Sequence, residues 1–432
     1  MRTIVSATLL VGAAVAAACG TSTGEPVTGT GTGPSTAVDA STPDATQAVQ
    51  VTPSETFASN VDRSEPDPDA PVDMVVAGFN DTGFTLFDQQ PADTNFVFSP
   101  MSIFHTVLMA RGAADESTAS SITDGVALPA GPAADAAWNV IDQQMSASPN
   151  ATVSLANRVW PDIDTEPDPT WLDLLAAEHG SAVEAIDYAA DPDAGRDIIN
   201  EWVSDQTEAL IPDLLPPGFI TPATTLVLTD AVYFEAEWQN PFGKYGPVSG
   251  EFTLLDGSTE PVELMQDLEG SGIRGEGEGF VAAEIPYRAG DFAMLVIVPD
   301  DGRFEEIRDG LDQTFLDDID STFTSGPYEL LLPKWETNST LDLIPFLGEI
   351  GAAPGSYPGI SPGSELSAGV HAADITVDEM GTVAAAATAL GFEESGPPQP
   401  ELTVAADQPF LYVIRHAETG VVLFAGQLVD PT

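Results

Sequence analysis

The sequence predicts an α+β fold, and three of its features do so. Runs of strand character, such as Thr225–Phe234, Phe292–Val298 and Phe410–Ile414, alternate along the chain with runs of helical spacing. The hydrophobic share of 43%, with 8% aromatic, is ample for a core, and 432 residues suffice for one large domain or for two or three average ones. A long connection, Asp378–Pro400, joins the strand-like runs Ile375–Val377 and Phe410–Ile414, and connections of that length inside a domain usually carry function.

Charge narrows the partners. Sixty-eight acidic residues against 12 basic ones give a net charge of −56, which repels nucleic acid and anionic lipid headgroups. Such a surface keeps the chain solvated and repels itself, so added salt is expected to raise thermal stability.

The first residues, Met1-Arg2-Thr3 and the apolar run Ile4–Ala18, have the charged start and short hydrophobic centre of a secretory signal. The run is too short for a membrane span. It ends in Ala16-Ala17-Ala18-Cys19-Gly20, which resembles a bacterial lipoprotein signal with Cys19 as the lipidated residue; an ordinary signal cleaved after an alanine is the alternative. Either form places the chain outside the cytoplasm, in the cell envelope or beyond, with membrane contact only through the lipid. Cys19 is the sole cysteine, so no disulfide framework exists. Residues 19–70 are Gly, Ser, Thr, Pro, Ala and Asp with few large apolar side chains, and are expected to form a disordered tether ahead of a folded domain at 71–432.

Within the domain, Val72, Val75, Val76, Phe79, Leu86 and Phe87 have helical spacing that Gly83 weakens. Asn95–Phe98 reads as a short strand, and Ser99-Pro100 as an N-cap and first-turn proline leading into Ile103, Val107 and Leu108. Val153–Trp160 reads as a strand and Ala194–Leu215 as a helix with Ile198, Trp202, Leu210 and Leu214 buried. In the strand Thr225–Phe234, Leu226, Leu228, Val232 and Phe234 share one face that Asp230 interrupts, and a carboxylate there is costly unless paired. Tyr328–Leu332 follows as a strand and Leu341–Ile350 as a helix.

The long connection has two readings. As a strand, Thr382, Ala384, Ala386, Thr388 and Leu390 would line one face and Val383, Ala385, Ala387 and Ala389 the other; no side chain forbids burial on either and no proline breaks the run. As an alanine-rich surface segment, the same residues would form a helix. The residues therefore permit both an exposed loop and a central strand.

Chemistry of other kinds is not indicated. Gly359-Ile360-Ser361-Pro362-Gly363 has the spacing of a hydrolase nucleophile elbow, but Pro362 lacks the N–H that would stabilise the oxyanion. The four histidines are scattered, and no phosphate loop or metal-ligand spacing occurs, so no enzyme, metal or cofactor is expected.

Four strings in order, Asn95–Ile103 (NFVFSPMSI), Leu228–Phe242 (LTDAVYFEAEWQNPF), His371–Thr388 (HAADITVDEMGTVAAAAT) and Asp407–Gly426 (DQPFLYVIRHAETGVVLFAG), together resemble the serpins. The resemblance implies a single α+β domain with a large, mostly antiparallel central sheet, two smaller sheets, surrounding helices and an exposed reactive loop. It also implies a suicide-substrate inhibitor of serine proteases: the protease cleaves the loop, is held as an acyl-enzyme, and is dragged away when the loop inserts as a new central strand. Members of the family generally act as monomers.

Carried over by position, the resemblance makes Glu379, Gly381, Thr382, Ala384, Ala385, Ala386, Ala387 and Thr388 the hinge, with the small residues that inhibitory members keep. It places the cleaved bond at Ser395-Gly396, with Phe392, Glu393 and Glu394 as alternatives. No Lys or Arg lies between Met380 and Arg415, so the expected target is an elastase-, subtilisin- or Glu-directed protease rather than a trypsin-like one, with cysteine proteases a second class. Lys334, one of only two lysines, matches a partner for the hinge carboxylate of Glu379, and Trp238 matches a tryptophan where the loop enters the sheet. Ser99, Ser102, Asp230 and His371 match the region that opens, where serpins usually carry Asn at the place of Asp230. A buried Asp230–His371 pair with a charged imidazole is expected to stabilise the closed sheet. A non-inhibitory serpin, or a surface-binding lipoprotein whose loop is only a recognition site, are the alternatives.

Overall fold

The structure is a computed structural model, and it describes residues 54–270, 272–382 and 402–432. Cys19, the signal run, most of the expected tether, and Ala384 to Thr388 and Phe392 to Gly396 of the connection lie outside these residues.

Four helices and six strands position the site. Helix α1 (Val72–Asp88) and helix α2 (Pro100–Arg111) cross where Gly83 meets Pro100, and a β-carbon on Gly83 would come within 2.5 Å of the proline ring. The glycine that weakens the helical pattern is thus what lets the two helices touch. Ser99 caps α2 by accepting the Ser102 N–H at 3.2 Å, with Pro100 in the first turn. Helix α3 is Ala133–Ser146 and α4 is Pro192–Gln206.

The central sheet contains β1 (Ala151–Leu155), β2 (Arg158–Pro161), β3 (Leu226–Glu237), β4 (Trp335–Asp342), β5 (Ala368–Val377) and β6 (Gly381–Thr382). Its order is β4-β5-β6-β3-β1, with β2 paired to the lower half of β3. A seven-stranded antiparallel sheet packs beneath it, built mainly from residues 273–299, 410–416 and 422–428. Strands 248–253, 259–270, 328–333 and 403–405 form a third sheet.

Alternation along β3 divides the core in two. Leu226, Leu228, Val232 and Phe234 point into the large core shared with α1, α2 and the seven-stranded sheet. Val227 and Ala231, with Val370 and Ala372 of β5, point to the opposite face, where Ile199 and Val203 of α4 cover them.

Several elements differ from the sequence expectation. Ser54–Phe57 is a strand paired with Val183–Ile186, and Arg63 forms an ion pair with Asp142 at 2.7 Å, so the last part of the expected tether, from residue 54, packs on the domain. Helix α4 stops at Gln206 instead of reaching Leu215. Glu208 and Ala209 adopt positive φ, and Pro212 and Pro216 cannot continue a helix. Leu210 is consequently exposed, while Leu214 and Leu215 pack on the α4-covered face of the sheet from a non-helical segment. The strand expected over Val153–Trp160 is two, broken at Ala156-Asn157. Leu341 and Asp342 end β4, and the following helix is only Ile344–Glu349, because Pro345 fits solely in a first turn. Gly359–Gly363 is a turn with no preceding strand.

Candidate functional site

Strands β3 and β5 form the site's frame. In their lower part they pair directly and in parallel, from Ala368 opposite Val227 to Ala373 opposite Val232. Above that point they diverge and β6 lies between them, with Thr382 opposite both Ala236 and Val377 and Gly381 opposite Glu237. Gly381 and Thr382, the first described residues of the expected hinge, therefore form a rung of the sheet.

A compact turn delivers them there. The Asp378 carboxylate accepts the N–H groups of Met380 at 2.7 Å and Gly381 at 3.2 Å, and the Asp378 N–H donates to the Gly381 carbonyl at 3.0 Å. Trp238 donates its indole N–H to the Asp378 carbonyl at 2.9 Å and its backbone N–H to Met380 at 2.8 Å. A β-carbon at Gly381 would fall 2.1 Å from the Ala236 carbonyl oxygen, so only glycine allows this approach. Lys334 reaches Glu379 at 3.0 Å across a half-exposed surface. Under the rung, the Thr382 hydroxyl meets that of Tyr287, whose ring stacks on Trp238 at a centroid distance of 4.4 Å. Burial pushes the Tyr287 phenol far up, and the Thr382 contact offsets this in part.

Below the rung, in the closed part of the sheet, lies a second polar group. Asp230 of β3 and His371 of β5 are fully buried neighbours, bonded through Oδ1 and Nδ1. Asp230 Oδ2 also receives Ser102 Oγ at 2.8 Å and Thr106 Oγ1 at 3.1 Å from α2. The expected charged imidazole does not fit: His371 Nε2 accepts the Ser99 backbone N–H at 3.0 Å, and a proton on that nitrogen would oppose it. The ring is neutral. From Ser102 the network continues through Asn157 to His105, His179, Asp135 and Arg111. Burial, reinforced by His179 and Arg63, holds the His105 imidazole well below the usual range, so it too is neutral.

Thus Glu379, Gly381, Thr382, Trp238 and Lys334 gather at the upper end, and Ser99, Ser102, Asp230 and His371 at the centre. Tyr287, Asp378, Thr106 and Asn157 are the members that sequence reasoning missed. The strand break at Asn157 had no periodic signal, and Tyr287 lies far away in sequence, between Pro286 and Arg288, where nothing local marks it.

Known proteins share this architecture. The family described as Serpin (serine protease inhibitor) matches residues 77–431. Serpin-Z1 of Arabidopsis thaliana is 28% identical over 80% of this chain and 91% of its own length. A Rattus norvegicus protein named leukocyte elastase inhibitor A is 27% identical over 80% of this chain and 96% of its own. The thermophilic serpin tengpin in its native state superposes with a TM-score of 0.76 at 21% identity, over 87% of this chain and 97% of that one. A family match across the whole domain, together with the shared fold, shows that the chain belongs to the serpins.

Proposed function

We propose that this serpin inhibits serine proteases as a suicide substrate. The observation that carries the reading is β6: Gly381 and Thr382, at the start of the proposed hinge, lie between β3 and β5 at one end, while the same strands are paired directly at the other. Carrying the antiparallel register of β6 onward steps each further loop residue one place down β3 and β5 together. Thr388 then arrives between Asp230 and His371, the even-numbered residues face the large core, and Val383, Ala385, Ala387 and Ala389 face α4. From Thr382 to Leu390 these side chains are all small or apolar, and none is charged.

In this reading the protease serine attacks the carbonyl of the residue cleaved, Ser395 or one of Phe392, Glu393 and Glu394. The peptide nitrogen leaves with the C-terminal fragment, and an ester to the enzyme remains. Insertion before water hydrolyses that ester turns a substrate into an inhibitor. The absence of Lys and Arg from Gly381 to Ile414 favours elastase-, subtilisin- or Glu-directed enzymes, with cysteine proteases second. The likeness to a protein named an elastase inhibitor is in keeping with that class. We further propose that the protein acts as a monomer outside the cytoplasm, held to a membrane by lipid on Cys19.

Incubating the purified protein with elastase, subtilisin, chymotrypsin and a Glu-specific protease tests this by denaturing gel and intact mass. The expected result is an SDS-stable adduct and a released C-terminal peptide whose mass identifies the bond. Cleavage within residues 392–396 with no adduct across the panel would instead establish a protease substrate without inhibitory action.

A further inference from the structure

The polar group at the β3–β5 junction is one hydrogen short if every member carries its ordinary charge. His371 fixes the count first: its Nε2 accepts from Ser99, so its single ring proton is on Nδ1 and points at Asp230 Oδ1. Asn157 is fixed next. Its Nδ2 reaches the Ser102 carbonyl at 2.9 Å and His105 Nδ1 at 3.1 Å, and turning the amide over would oppose two oxygens. Asn157 Oδ1 is therefore the atom that faces Ser102 Oγ.

Ser102 Oγ lies 2.8 Å from Asn157 Oδ1 and 2.8 Å from Asp230 Oδ2. A hydroxyl owns one hydrogen, and both of these neighbours accept. Thr106 brings its own hydrogen to Oδ2 and does not relieve Ser102. With an ionised carboxylate, two oxygens would face each other across 2.8 Å with no hydrogen between, among side chains that are all buried. Among the described residues no cation compensates such a charge. The groups facing Asp230 are His371 from β5, Ser102 and Thr106 from α2, and Asn157 from the β1–β2 break. His105 and His179 lie beyond Asn157, and the Arg111 guanidinium at the end of the chain is bound to Asp135 at 2.9 Å. A buried, unpaired carboxylate is strongly disfavoured.

We propose that Asp230 is a neutral carboxylic acid in the closed sheet. Its proton is on Oδ2 and is donated to Ser102 Oγ, which passes its own hydrogen to Asn157 Oδ1, while Oδ1 accepts from His371. Every group is then satisfied and the cluster carries no charge. Asp230 becomes a positioning residue with a proton at stake: parting β3 from β5 breaks its bond to His371, and the freed acid gives its proton to solvent. The closed sheet, which holds the proton, loses stability relative to the opened or unfolded chain as pH rises. Only this last consequence rests on the proposed loop insertion; the proton count does not.

The test uses the uncleaved full chain and no protease. Infrared difference spectra at pH 8 between the wild type and Asp230→Asn, with and without carbon-13 aspartate, should show a protonated carboxylic C=O band in the wild type that the label shifts and the variant lacks. That pH lies above the range of Asp88 and Asp374, both pushed up to about 6. Asn supplies an N–H in place of the O–H, so the variant should keep the fold. From about pH 5 upward, the wild type should lose about tenfold in folding equilibrium per pH unit relative to the variant. A labelled wild type without an acid band, or parallel pH profiles for the two proteins, would overturn the proposal. If Asp230→Asn does not fold, the labelled wild type alone decides through the presence or absence of that band.

Discussion

The hydroxyls of Tyr287 and Thr382 meet at 2.5 Å in a corner closed to solvent, and this contact fastens the first rung of β6 to the strand connection beneath it. Tyr287→Phe leaves the Thr382 hydroxyl buried without a partner. Denaturant unfolding should show a loss of about 1–3 kcal/mol, and adding Thr382→Val to that variant should cost much less than Thr382→Val alone. Additive losses would show that the two hydroxyls do not act together.

Gly381→Ala is expected to expel the rung, since a β-carbon 2.1 Å from the Ala236 carbonyl oxygen cannot be accommodated without moving β3. A stability loss of about 1–3 kcal/mol should accompany faster amide exchange at Trp238, whose N–H is bonded to Met380. Unchanged exchange at that amide would mean that the strand tolerates the extra carbon.

Salt should act on this protein in two opposite ways. The melting temperature of the whole chain should rise in molar NaCl, because a net charge of −56 repels itself. Lys334→Ala, which removes the half-exposed pair to Glu379, should cost under about 1 kcal/mol at low salt and nothing measurable in molar NaCl. A Lys334 effect that persists in high salt would assign its role to packing instead of charge.

Asp374 of β5 gives a defined pH dependence. Half-burial first, and repulsion by Glu336 second, push its carboxyl up to about 6 from 3.8. The folded chain therefore binds this proton more tightly than the unfolded one, and the contribution present below pH 3.8 is lost as pH rises through about 6. Asp374→Asn should stabilise the protein by on the order of 1 kcal/mol at pH 7.5, an amount reduced by solvent screening, and should have no effect below about pH 4. Equal effects at both pH values would refute a titration origin.

The parts of the fold that were legible in the sequence were those governed by local chemistry. Ser99-Pro100 announces a helix start because the cap and the first-turn proline are neighbours, and Asp230 announces a partner because a carboxylate on an apolar strand face requires one. The end of α4 was misjudged because apolar spacing continues to Leu214 although Pro212 forbids the helix, so the same side chains reach the core by an irregular path. Tyr287, Thr106 and Asn157 were illegible for another reason: each joins the site through contacts made between distant segments, and nothing in its own neighbourhood marks it. The charge state of His371 was misjudged because a pair of residue types does not reveal which ring nitrogen already accepts a backbone N–H.

The pairing of β3 with β5 also sets a length. Below Ala236, where Thr382 rests, β3 has ten further positions before it ends at Leu226. A strand that filled them would extend from Val383 to Phe392 and advance about 33 Å along the sheet. On the proposed insertion with cleavage after Ser395, Glu393, Glu394 and Ser395 would lie past the last rung as a short leash, so the travel of a captured enzyme would be metered by residues 383–392 and its clearance from the sheet's edge by the three that follow. Removing one alanine from the run would shorten the journey by about 3.3 Å. It would also turn every later side chain to the opposite face, so that spacing, more than composition, is what the proposed insertion would require this segment to preserve.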